Sequence, residues 1–306
     1  MKQLNKDIID AVSLETGIAP SYIEKDWYLV SVLSLIQQSN NSDVKVVFAG
    51  GTSLSKGYDL IHRFSEDVDF SIVGFEDKNR KARSSFRDSF IQYIKENELL
   101  NIDDETIKSR DECKYVNFYI NYPKEVELES SLRNDLKVEL SFKPTYLPTI
   151  KKKITSFVSE FMPDCPVAEI ECINPTETAA NKFSALLWRI DIKDRSEPYN
   201  HMTNDPALMR HLHDLSAMYD IIHNDKDFVR LVKEIFEKDK LRGDKERDIT
   251  LNDFIKQTIA KLENDELYEK EYNTFVSTMC YGDAIISFED SMKSYKMLCD
   301  IVIKNL

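Results

Sequence analysis

Only seven of the 306 residues are glycine, and two of them stand side by side, Gly50-Gly51, where a short apolar run gives way to helical spacing. Glycine opens backbone conformations closed to other residues, so its placement in a chain this sparing of it carries meaning. Val44 to Ala49 reads as a buried strand, and apolar residues recur at helical spacing from Thr52 to Ile61. The segment is therefore strand, tight turn and helix, with free N–H groups and a positive dipole end at the turn. Two readings stand open: a seat for phosphate groups, or a plain turn capped by Thr52 or Ser53. A Walker A loop is excluded, because Gly50-Gly51-Thr52-Ser53-Leu54-Ser55-Lys56-Gly57 lacks the Gly-Lys-Ser/Thr ending.

Upstream, Gly17 and Pro20 break the first forty residues into two helices, the second with an apolar face of Ile23, Trp27, Val30, Leu33 and Ile36. Downstream, Phe64 to Val73 alternates as a half-buried strand does, with Asp67, Asp69 and Ser71 on one side and Val68, Phe70 and Ile72 on the other. A helix follows from about Asn79 to Leu99, then strands at Tyr115 to Tyr122, Leu136 to Phe142 and Val167 to Ile173. Beyond Asn174 nearly every segment has helical periodicity, including Pro175 to Ile192 and Pro206 to Ile222. The fold class is α+β: a mixed-sheet lobe with two leading helices over residues 1–173, then a helical lobe over 174–306.

Composition narrows the function classes. With 41 Lys and Arg against 54 Asp and Glu the formal net charge is −13, which argues against a surface that coats nucleic acid nonspecifically but leaves room for a local basic groove. Lys151-Lys152-Lys153, the one compact basic run, reads more readily as a solvated loop or helix start than as an RNA contact. Five scattered cysteines without a Cys-x-x-Cys pair point to reduced thiols. No apolar stretch approaches a membrane span and no secretory signal opens the chain, so a cytoplasmic protein is expected.

Asp67 and Asp69, two apart on a strand, project from the same face and repel each other unless a cation sits between them. Magnesium, bound by one or two carboxylates together with substrate phosphates, suits that pair. The spacing alone proves little, since acid pairs two apart arise by composition about ten times in a chain this acidic. A third acid is available in Glu139, which alternates with Val138 and Leu140; equally, it is a strand glutamate paired with Lys137.

Gly50-Gly51-Thr52-Ser53-Leu54-Ser55-Lys56, followed by Arg63-Phe64-Ser65-Glu66-Asp67-Val68-Asp69-Phe70, resembles the signature of the AbiEii/AbiGii nucleotidyltransferase toxins. That family includes the MenT enzymes and belongs to the DNA polymerase β-like superfamily. Ile23 to Tyr28, Pro175 to Arg189 and Arg210 to Leu215 are similar to further motifs of the family, so the likeness runs from about residue 20 to about residue 220. The resemblance implies a polymerase β-like lobe in which Asp67 and Asp69 bind two Mg2+ ions, with Glu139 sharing one. Gly50, Gly51, Thr52, Ser53 and Lys56 would form the nucleotide-binding segment. Ser65 matches a position with a functional hydroxyl, Lys182 would touch the nucleotide phosphates with Arg210 assisting, and Asp214 is the acid of the last motif. It further implies an NTP substrate, a tRNA 3′ end as acceptor, growth arrest as outcome and an antitoxin partner.

Residue chemistry leaves alternatives beside each later position. Lys182 borders an apolar stripe of Ala179, Phe183, Leu186 and Leu187 and can snorkel its ammonium into a cleft, or be a solvated surface lysine. Arg210 and Asp214 are one helical turn apart and can form a plain ion pair. His211 and His213 face different directions and read as core or surface histidines. Tyr115, Phe118 and Tyr119 suit base stacking or an ordinary core. For the acceptor, a protein hydroxyl or a small molecule is the alternative to tRNA, and a non-catalytic relative of the transferase fold is the second rival.

Overall fold

The computed structural model describes residues 1–37, 43–129, 132–199, 203–240, 248–282 and 285–306. These divide into two compact units: Met1–Asp59 with Phe64–Asn174, and Leu60–Arg63 with Pro175–Leu306.

The first unit opens with α1 (Lys6–Thr16), stopped by Gly17 in the left-handed region, and α2 (Pro20–Ile36), which has Pro at its first position. The expected apolar face of α2 is buried, but so are Glu24, Lys25 and Asp26, and the helix is enclosed on nearly all sides. Its charges are tolerated because each has a partner: Glu24 accepts from the Glu125 amide, Lys25 from α2 meets Glu66, and Asp26 meets Lys56.

Next come β1 (Lys45–Ala49), α3 (Gly50–Lys56), β2 (Asp67–Val73), α4 (Arg80–Lys95), β3 (Asn101–Ile102), β4 (Lys108–Arg110), β5 (Tyr115–Asn121), β6 (Leu136–Ser141), β7 (Ile150–Thr155) and β8 (Val167–Cys172). The strands form one mixed sheet in the order β3-β5-β6-β2-β1-β8-β7, with β4 paired to the outer side of β5. β1 and β2 are antiparallel, whereas β2 and β6, and likewise β1 and β8, are parallel. One face carries the large core, in which Trp27, Val30, Phe48, Val68, Phe70, Phe90, Phe118, Val138 and Ile170 are almost wholly buried. The other face holds the alternating polar residues of β2 and β6 and a small cluster of Val47, Ala49 and Ile173.

Two expectations change here. α3 ends at Gly57 instead of running to Ile61, and Leu60–Arg63 belongs to the second unit. Lys151-Lys152-Lys153 is no loop or helix start but the sheet's edge strand β7, where Lys151 pairs with Glu169 at 3.0 Å. Lysines on an edge strand discourage pairing with foreign strands.

The second unit is helical: α5 (Pro175–Asp191), α6 (Arg210–Ala217), α7 (Tyr219–Ile222), α8 (Lys226–Lys240), α9 (Leu251–Asn264), α10 (Leu267–Met279) and α11 (Phe288–Lys304). The single helix expected over 206–222 is a 3-10 turn at Pro206–Met209 followed by α6 and α7. α5 sits at the centre, its Phe183 packed against Phe228 and Tyr295 and its Trp188 against Phe236 and Phe254. Among the described residues no helix is long and apolar enough to cross a membrane, and all five cysteines are free thiols.

Candidate active site

In the first unit the sheet register gathers the acids. Asp69 lies opposite Glu139 across the parallel β2–β6 pair and opposite Ala49 on β1, while Asp67 lies opposite Lys137. Register partners project from one face, so Asp67, Asp69, Glu139 and Lys137 share the half-exposed side of the sheet while Val68, Phe70, Val138 and Leu140 fill the core beneath.

Gly50 follows Ala49 directly, with φ of 71°, and a Cβ there would lie 1.9 Å from Asp69 Oδ2. Only glycine leaves room for the carboxylate and takes that backbone angle without strain. Gly50→Ala is therefore expected to cost about 2–4 kcal/mol from left-handed strain and overpacking and to displace Asp69. Thermal melting and transfer activity should fall together, and an unchanged melting midpoint would contradict this packing.

Thr52 and Ser53 do not cap α3. The Thr52 hydroxyl donates to the Asp67 carbonyl at 2.5 Å and the Ser53 hydroxyl to the Gly50 carbonyl at 3.0 Å, both fully buried. The first turn of α3 is thereby fixed to the strand that carries the acids. Lys56 braces the other end: its ammonium meets Asp26 Oδ1 at 2.7 Å and lies 4.2 Å from the centre of the Phe157 ring. Ser65 is half-exposed just ahead of β2.

Basic groups balance the acids. Arg133 Nη2 donates to Asp67 Oδ1 at 2.7 Å, and Lys137 lies 3.9 Å from the same oxygen while binding Glu139. Burial alone would lower the Lys137 pKa, but Asp67 and Glu139 overcome it and hold the ammonium above its ordinary range. The main chain at Arg133 is held by the buried Lys25–Glu66 pair: Lys25 donates to the Arg133 carbonyl at 2.7 Å and Glu66 accepts from its amide.

A divalent cation fits this donor set by its chemistry, with hard carboxylate oxygens on adjacent strands. Among the described residues no three acids, histidines or cysteines converge as a ready-made metal cage. Two carboxylates completed by phosphate oxygens is the usual arrangement for magnesium.

In the second unit, Asp214 is fully buried and wholly engaged. Arg63 grips it with two hydrogen bonds, Nε to Oδ1 and Nη2 to Oδ2, both 2.7 Å, and Lys182 Nζ adds a third contact at 2.7 Å to Oδ2. His213 Nδ1 is 3.3 Å from Oδ1, and Cys280 Sγ is 3.6 Å from His213 Nε2. Burial would raise the Asp214 pKa, but Arg63 and Lys182 dominate and hold it well below the usual carboxylate range. Burial pulls Lys182 the other way, below its ordinary value, despite Asp214.

Lys182 is thus not a solvated surface lysine, and the Arg210–Asp214 pair is not formed; Asp214 takes Arg63 and Lys182 instead. Both histidines are buried. Burial, then the charges of Lys182, Arg210 and Arg189, keep the His211 imidazole neutral. Sequence reasoning missed Arg63, Arg133 and the Lys25–Glu66 pair. Arg63 stood inside the quoted signature, but no periodicity marks a coil residue for a buried ion pair.

Comparison with known proteins settles the family. The model described as "Nucleotidyl transferase AbiEii toxin, Type IV TA system" matches residues 35–294. The chain belongs to the AbiEii family. It is accordingly a nucleotidyltransferase, the toxin of a type IV toxin–antitoxin system. As an AbiEii protein it shares its fold with MenT4, a nucleotidyltransferase toxin from Mycobacterium tuberculosis H37Rv, at 15% identity and a TM-score of 0.50, over 97% of this chain and 99% of that one. A protein of H. pylori described as a nucleotidyltransferase aligns at 17% identity and a TM-score of 0.47, over 92% of this chain and 94% of that one. No curated protein matches in sequence. At these identities the structural likeness concerns the fold alone.

Proposed function

We propose that this AbiEii protein transfers a nucleoside monophosphate from an NTP to the 3′ end of tRNA, with Asp67, Asp69 and Glu139 as ligands for two Mg2+ ions. The observation that carries the reading is the register of β2 and β6, which sets Glu139 beside Asp69 and both on the face that Asp67 shares, with Gly50 closed against Asp69. Bound magnesium supplies positive charge to the triphosphate and to the charge that develops at the transferred phosphorus.

The chain's own residues supply position. Gly50 and Gly51 bring backbone close to the phosphates, with Thr52 and Ser53 completing that nucleotide-binding segment through main chain, since their hydroxyls serve the unit's interior. Glu139 orients the acceptor hydroxyl for in-line attack on the α-phosphorus, the new P–O bond forming as the bond to the departing pyrophosphate breaks and the hydroxyl proton passes to solvent. Lys56 and Ser65 steady the segment and the approach to β2. Lys182 and Arg210 serve the nucleotide phosphates, and Asp214 sets the position of Lys182. Orientation and charge neutralisation account for most of the rate gain in such transfers. A cognate antitoxin controls the activity.

The test is incubation of the purified protein with total bacterial tRNA, magnesium and each α-labelled NTP in turn. Label entering tRNA from one NTP, with none when magnesium is chelated, is the expected result. Label entering only protein or a small molecule would overturn the tRNA assignment and leave the transferase chemistry in place.

A further inference from the structure

The acid-bearing face of the sheet does not end at β6. Its register runs on through β5 to β4 in continuous rows: Asp69, Glu139, Asn117 and Lys108 form one, and Ser71, Ser141, Tyr115 and Arg110 the next. Tyr119 lies opposite Lys137, which lies opposite Asp67. Strands are about 4.8 Å apart, so the row from Asp69 to Lys108 spans about 14 Å.

The faces are assigned independently by what lies on the other side. Val116, Phe118 and Ile120 of β5 are buried in the core, and Ser109 of β4 accepts from Arg87 of α4 at 3.0 Å. Lys108, Arg110, Tyr115, Asn117 and Tyr119 therefore lie on the side opposite α4, with the acids. Tyr115 is 41% exposed, and Lys108 and Arg110 are exposed.

The strip carries a local excess of positive charge in an acidic chain. Among the described residues Lys108 and Arg110 take part in no ion pair, and the acids of the adjoining turn are already matched, Asp111 by Lys114 at 3.5 Å and Glu112 by Arg83 at 3.6 Å. The lysine-rich edge strand β7 differs, since Lys151 and Lys153 lie opposite Glu171 and Glu169 of β8, and Lys151 is matched by Glu169.

We infer that the β4–β5 face is the platform for the acceptor's last few nucleotides, a single-stranded RNA 3′ end. Exposed aromatic rings on a sheet stack unpaired bases, and unpaired Lys and Arg take the phosphates between them. The exposed Tyr115 and the half-buried Tyr119 supply the rings, Lys108 and Arg110 the charge, and Asn117 a hydrogen-bonding amide in the row that ends at Glu139 and Asp69. The strand's terminal hydroxyl is delivered to the acids by lying along that row. This rests on the RNA-acceptor reading above and adds the residues that would hold the RNA.

The experiment measures fluorescence anisotropy of a short single-stranded RNA, labelled at its 5′ end and carrying a free 3′ hydroxyl, titrated with the full-length protein at several salt concentrations. Lys108→Glu combined with Arg110→Glu is expected to weaken binding at least tenfold and to reduce the slope of log Kd against log salt by about 1–2. Tyr115→Ala is expected to weaken it about 5- to 100-fold, with Tyr115→Phe near wild type. Lys153→Glu on β7 should leave Kd within twofold. All these residues are surface positions, and circular dichroism checks that each variant stays folded. Unchanged Kd and salt slope in the Lys108/Arg110 variant, or no binding by the wild type, would overturn the platform. If wild type and that variant label RNA equally, the platform fails while RNA transfer stands; if the wild type labels no RNA, the acceptor reading itself has failed.

Discussion

Asp69→Asn should abolish nucleotidyl transfer, lowering the rate by at least about 10²–10³-fold, the scale set by removing a preorganised charge-stabilising group. Melting and circular dichroism should stay at wild-type values. Asn keeps the volume against Gly50, and Asp69 sits half-exposed on the polar face while the core lies under Val68 and Phe70. Asp67→Asn should lose as much activity for the same reason, with a small additional stability change because Asp67 also receives Arg133. Turnover within tenfold of wild type in the Asp69 variant, measured with the same labelled NTP, would remove these two residues from the chemistry.

Asp214→Ala should have the opposite profile, a large loss of stability. It strips the shared partner from Arg63 and Lys182 and leaves two buried cations facing one another. Breaking a buried ion pair from one side costs about 3–5 kcal/mol, which corresponds to a drop of roughly 10–15 °C in melting midpoint for a unit of this size. Lys182→Met is the instructive contrast. It removes a buried cation whose charge burial already disfavours, while both Arg63 hydrogen bonds to Asp214 remain, so it should melt near the wild type yet transfer poorly. A Lys182→Met protein that unfolds with the Asp214 variant would make this lysine structural. The acid range offers a further check. Because the folded pKa of Asp214 is depressed, its contribution is fully present above the ordinary carboxylate value of 3.8 and is lost as pH falls through the lower folded value. Between those two values stability should therefore fall less steeply as pH drops in Asp214→Ala than in wild type.

Much of this was legible in the chain because periodicity carries it. Alternation placed β2 and β6, β5 and β8 also read as strands, and two adjacent glycines in a glycine-poor sequence marked the turn against Asp69. The family resemblance rested on the same stretch. What escaped has physical reasons. β3 and β4 have two and three residues, too short for any period, and β7 hides its strand character behind three lysines because it is an edge. α2 reads as amphipathic by its apolar residues, yet it is enclosed, since Glu24, Lys25 and Asp26 are each satisfied by residues at least 30 positions away. Long-range ion pairs of that kind leave no local mark. The same holds for Arg63 on Asp214, separated by 151 positions, and for Arg133 on Asp67, separated by 66. The resemblance therefore pointed to the acids, the glycines and Lys182, but not to Arg63 and Arg133 as the partners that hold the acids.

The most direct measurement is a Mn2+ titration followed by electron paramagnetic resonance, with wild type, Asp67→Asn and Asp69→Asn each in the presence of an α,β-methylene NTP. If these carboxylates hold the catalytic cations, the wild type removes Mn2+ from solution and both variants lose that binding by at least tenfold in affinity. Equal binding by wild type and variants would contradict the assignment and place the metal elsewhere.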